Sequence, residues 1–153
     1  MCAAGVLHLV RLGRWAGERT ARERLVLVLH VAYAFVPLGF ALAGLAAFCL
    51  VPNSAGLHAW MAGAAGMMTL SIMTRASLGH TGRALAASWA TQAIYAAVFV
   101  AAIARVMAAL MPEWTSLLVH VAGCAWIAAF GGFAVVYGPM LARPRANHEL
   151  GVA

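Results

Sequence analysis

HAWMAGAAGMMTLSIMTRASLGHTGR, residues 58–83, decides how this chain is read. From Ala59 to Thr74 it carries no charged residue, and SLGHTGR then sets His80 and Arg83 in polar surroundings. A run of that kind is a candidate membrane helix that passes into a basic loop. Hydrocarbon penalises ionisable groups, so histidines at both ends of one span call for an explanation.

Outward from this stretch, composition gives the class. The chain of 153 residues is 65% hydrophobic and 9% charged, where a soluble domain carries roughly 25% charged residues. Every cation is Arg and every anion Glu. A high pI can mark a nucleic-acid binder, but these arginines lie in short connections between apolar runs, which is how membrane topology is written, and nucleic acid is excluded as a partner. Four runs are long enough to cross a bilayer, Leu25–Leu50, Gly56–Thr74, Ala84–Ala104 and Leu117–Leu141. They are separated by Val51-Pro52-Asn53-Ser54, by the polar stretch Arg75–Arg83, and by Met111-Pro112-Glu113. None shows period-2 alternation, so the expected fold is all-α, a polytopic membrane protein of four transmembrane helices.

Arg11, Arg14, Arg19, Arg22 and Arg24 precede the first run, Arg75 and Arg83 lie between the second and third, and Arg143 and Arg145 follow the fourth. Only Arg105 falls on the other side, where Glu113 is a candidate partner. The positive-inside bias therefore places both termini in the cytoplasm. The expected organisation is a basic N-terminal segment over residues 1–24, a four-helix transmembrane domain over 25–145, and a polar tail over 146–153. Met1–Val10 reads either as the stub of a further membrane helix or as an interfacial lead-in anchored by Trp15. Cys2, Cys49 and Cys124 form no CxxC pair, and Cys49 and Cys124 read as small packing volume.

Four histidines carry the chemical interest. His30 shares a helical face with Tyr33 and Pro37, and Pro37 frees a backbone carbonyl near residue 33, which opens space beside that face. His58 and His120 open the second and fourth runs, which travel in the same direction, so both belong near the outer surface at matched depth. His80 belongs to the inner loop. Neutral imidazoles on separate helices are what a haem or copper centre uses, and the other reading is that each histidine bonds to a neighbouring helix. Met61, Met67, Met68 and Met73 suit either cuprous ion or core filling. Ala62, Gly63, Ala65 and Gly66 allow close approach of a helix or a flat macrocycle, and Gln92 and Tyr95 make a second small polar face. His8 and His148 read as solvated. Arg75 and Arg83 read as orienting charges or as partners for haem carboxylates.

The 58–83 stretch resembles the signature of the NnrS family, bacterial inner-membrane proteins tied to nitric oxide and nitrosative stress that contain haem and copper. LVLVLHVAYAFVPLGFALAGLA and AWIAAFGGFAVVYGPMLARPR resemble that family too, so the likeness runs from about Val10 to Arg145. The resemblance implies a haem and copper protein with nitric oxide as ligand, with His30, His58 and His80 at matching motif positions and His120 added by depth. It also implies a chain corresponding to the last third of a longer protein, completed by further transmembrane helices or by self-association. Whether such a protein catalyses a reaction stays open. The rival readings are a small transporter or channel subunit, and a structural assembly subunit without cofactor.

Overall fold

The computed structural model describes residues 1–15 and 23–142, and these form helices joined by short connections. Arg19, Arg22, Arg143 and Arg145, which contribute to the charge asymmetry, lie outside the described residues. The order is α1 (Cys2–Arg14), α2 (Arg24–Ala46), α3 (Asn53–His58), a π-helical segment (Ala59–Gly66), α4 (Met67–His80), α5 (Trp89–Leu110), a 3-10 turn (Pro112–Trp114) and α6 (Thr115–Ala142). Among the described residues three helical stretches are long and apolar enough to cross a membrane: Arg24–Ala46 and Trp89–Leu110, each with mean hydropathy 2.2, and Pro112–Ala142 with 1.8. The α3, π-helical and α4 pieces follow one another without a break from Asn53 to His80.

Several expected boundaries move. The polar loop expected over Arg75–Arg83 is helical as far as His80, because α4 does not stop at its first arginine. The chain turns at Gly82, whose φ of 68° only glycine adopts without strain. Arg83 N–H then donates to the Leu78 carbonyl at 3.0 Å, closing the helix end. The third run begins at Trp89, where the Ser88 side chain accepts from Thr91 N–H. It continues to Leu110, beyond the expected end at Ala104, and so takes in Arg105.

Met1–Val10 is helical and docks on the bundle through one face, its other residues staying exposed. α1 lies along α2, with Gly5 buried against Phe40 and the Pro37 carbonyl. The face bearing Tyr33 and Pro37 is therefore closed by α1 instead of left open. Behind it, glycines receive aromatic rings. A Cβ on Gly39 would strike the Trp60 indole, one on Gly63 would strike Phe35, and one on Gly66 would meet Trp126 Cη2 at 2.5 Å. Trp60 Nε1–H donates to the Val36 carbonyl at 3.1 Å, tying the π-helical segment to α2. With no hydrophobic drive between helices in lipid, such close fitting and a few buried hydrogen bonds hold a bundle together. The bond between Thr91 and Tyr137, 2.6 Å long and fully buried, does the same for α5 and α6.

Candidate functional site

The 53–80 helix places His58 at the last residue of α3, immediately before the π-helical turns. A π-helical insertion widens the helix and re-aims the side chains beside it, which is why such segments gather at functional sites. His58 lines a cavity of about 420 Å³ whose walls come from three stretches: Met61 and Ala62 beyond it, Ala101 and Arg105 on α5, and Ala122 and Trp126 on α6. Gly123 completes the α6 wall, and a Cβ there would meet nothing within 4 Å. Among the described residues His58 makes no hydrogen bond. Arg105 faces the same space and forms no ion pair with Glu113, contrary to the pairing expected for it.

The other histidines are placed differently. His120, like His58, is the sixth residue of its helix, so its expected place near the start of the helix holds. Its direction does not. His120 is exposed, and the cavity wall is built from Val119, Ala122 and Gly123 instead. Its Nδ1–H donates to the Ser116 carbonyl at 2.6 Å, which leaves Nε2 as the available nitrogen. His30 similarly donates from Nδ1 to the Val26 carbonyl at 3.1 Å and meets the edge of Trp15. His80 is exposed at the last residue of α4. Arg75 and Arg83 are exposed near the same end of that helix. Seventeen residues separate His58 from Arg75, roughly 25 Å along a helix at 1.5 Å per residue, so no single group spans them.

His8, read from sequence as solvated, is a correction. Its Nδ1 and the Tyr33 hydroxyl are hydrogen-bonded at 2.7 Å, and its ring stacks on Phe40 at 5.3 Å and 10°. Arg11 stands over Trp15 and Tyr33 in the same cluster. No signal inside Met1–Val10 announces this, because the partners are more than 20 residues away. Arg105 was also missed as a site residue. The signal for it was present: a lone arginine in an otherwise apolar run.

The chemistry open to the cavity follows from its donors. One unbonded imidazole, a floor and walls of alanine and glycine, an indole and a guanidinium fit a flat macrocycle bearing carboxylates, with nitrogen to one face and positive charge at the rim. Copper is served less well: among the described residues no three His, Cys, Asp or Glu side chains lie close enough to hold one ion. Met61 is the one additional soft donor on the wall.

A family model described as NnrS protein matches residues 1–145, nearly the whole chain. No match was found among curated proteins or among solved structures. The chain belongs to the NnrS family, and that membership points to a membrane protein of the nitric oxide response.

Proposed function

We propose that this member of the NnrS family is a four-span protein of the bacterial inner membrane that serves the nitric oxide response by holding haem against His58. The supporting observation is the unbonded His58 ring in a cavity walled by small residues and carrying Arg105. When bound, haem supplies an iron that takes up diatomic ligands and exchanges electrons. His58 offers a nitrogen ligand. Ala62, Ala101 and Gly123 would leave room for a flat ring, Trp126 would offer it an apolar surface, and Arg105 would neutralise its carboxylates. Arg75 and Arg83 then serve topology rather than this group, since they lie at the far end of the helix. His120, exposed and with Nε2 available, is placed to ligate a group shared with a further helix or a second copy. Copper in this reading draws on such outside ligands.

The fourth span is the Asn53–His80 helix, and both termini are cytoplasmic because the arginines gather on that side. Reporter fusions after Asn53 and Pro112 are expected to read the outer compartment, and one after Arg83 the inner. The haem reading is tested on protein extracted from membranes. His58→Ala is expected to remove the haem absorption band, and His58→Gln, which keeps a polar group, is expected to remove it too. A variant His58→Ala with an unchanged band and haem content overturns the assignment.

A further inference from the structure

α2 and α5 both pack on the 53–80 helix, and they meet each other at the edge contact between Phe35 and Phe99, 6.1 Å between ring centroids. Below that contact they part. The gap is a groove of about 550 Å³, floored by Met67 and walled by Leu27, Val31 and Ala96. Arg24 and Gln92, in the first turns of α2 and α5, line it together with these apolar residues, so the groove is mostly apolar with polar groups at the helix starts. A second recess, about 260 Å³ and mainly polar, adjoins it there, lined by Glu23, Leu85 and Ala87. Arg24 lines both spaces and joins them.

That junction is electrostatically distinctive. Two helix N-termini, those of α2 and α5, lie at it, each with partial positive charge. The Arg24 guanidinium stands over the Trp89 ring at 5.6 Å, and Trp89 is 81% exposed, the posture of an aromatic at a membrane–water interface. Glu23 adds one carboxylate to the recess and makes no ion pair with Arg24 among the described residues. Gln92 is held at the mouth by donating to the Ala87 carbonyl at 3.1 Å, which leaves its second N–H for another acceptor. An occupant must therefore be apolar along most of its length. At its head it must carry an anion for Arg24 and, just beyond, a hydrogen-bonding cation for Glu23.

We propose that the groove between α2 and α5 seats an acyl chain of a phospholipid with a primary-amine head group, its phosphate on Arg24 and Gln92 and its ammonium on Glu23. Charge-assisted hydrogen bonds to the phosphate supply the affinity, and Glu23 supplies the choice of head group. A choline head offers no N–H to Glu23, and a glycerol head offers hydroxyls but no cation. The site is independent of the haem reading, because it shares no wall residue with the His58 cavity.

The test is native mass spectrometry of the full chain released from bilayer discs of phosphatidylethanolamine, phosphatidylglycerol or phosphatidylcholine in turn. The expected result is retention of one phosphatidylethanolamine per chain, in preference to both other lipids. Arg24→Gln is expected to lower retention about tenfold or more, the loss of one charge-assisted contact. Glu23→Gln is expected to retain phospholipid but to lose the preference for ethanolamine over glycerol. Ala96→Trp, which fills the groove and leaves Arg24 in place, is expected to abolish retention. Equal retention of all three lipids, retention unaffected by both Arg24→Gln and Ala96→Trp, or a lipid-free dimer whose interface protects this groove would each overturn the proposal.

Discussion

Gly63→Ala is the sharpest probe of how the bundle is held. A Cβ at Gly63 would overlap the Phe35 ring and lie 2.8 Å from the Phe35 Cβ. Ring atoms can rotate away, but the Phe35 Cβ is fixed to the α2 backbone. Carbon atoms rest at roughly 3.5–4.0 Å, so α2 has to retreat by about 1 Å. It is not free to do so, because Trp60 bonds to Val36 and its indole fills the notch at Gly39 within the next turn. Overpacking of this kind costs about 1–3 kcal/mol, offset by up to about 1 kcal/mol from replacing glycine inside a helix. The net loss is about 1–2 kcal/mol, or roughly 2–8 °C of melting temperature for a chain of this size. Far-UV circular dichroism melts in mild detergent measure it. Phe35→Ala alone is expected to cost about 3–5 kcal/mol, since Phe35 is almost fully buried. In that background the added methyl has space, and Gly63→Ala is expected to be neutral or stabilising. If Gly63→Ala costs the same with Phe35 present and absent, the glycine is not there to admit the ring, and the packing account fails.

Two further expectations concern single residues. Cys49 and Gly82 occupy equivalent positions after α2 and α4, with φ of 57° and 68°, and each helix end is closed by the same kind of bond, Leu50 N–H to Leu45 C=O and Arg83 N–H to Leu78 C=O. Only glycine takes that backbone shape freely, so Cys49→Gly is expected to raise stability by about 1 kcal/mol and Gly82→Ala to lower it by about as much, both read from the same melts. His8→Ala is expected to lower stability by about 1–2 kcal/mol through loss of the Tyr33 bond and the Phe40 stack, while leaving haem absorption unchanged. An unchanged melting curve for His8→Ala would return His8 to the solvent.

The sequence alone determined what depends on local composition. Apolar run length made the chain helical and membrane-embedded, and SLGHTGR with its flanking motif carried the family resemblance. Position along the helix was legible as well: His58 and His120 both fall near the start of their helices, where apolar run length alone put them. Rotation about the axis was not legible. Apolar residues surround α6, which buries little of its surface, so no periodic stripe said which side of it would face His58. Tertiary structure turned Gly123 and Trp126 to the cavity and His120 away from it. The π-helical turns after His58 added to this, since a wider helix breaks the register on which face-sharing arguments rest. Helix ends were misplaced for a related reason. An exposed arginine on a helix surface costs little, so α4 ran past Arg75 and stopped where Gly82 could turn the chain. Contacts between distant segments, His8 with Tyr33 and Phe40 or Arg24 with Trp89, depend on which helices become neighbours, and only the folded packing decides that.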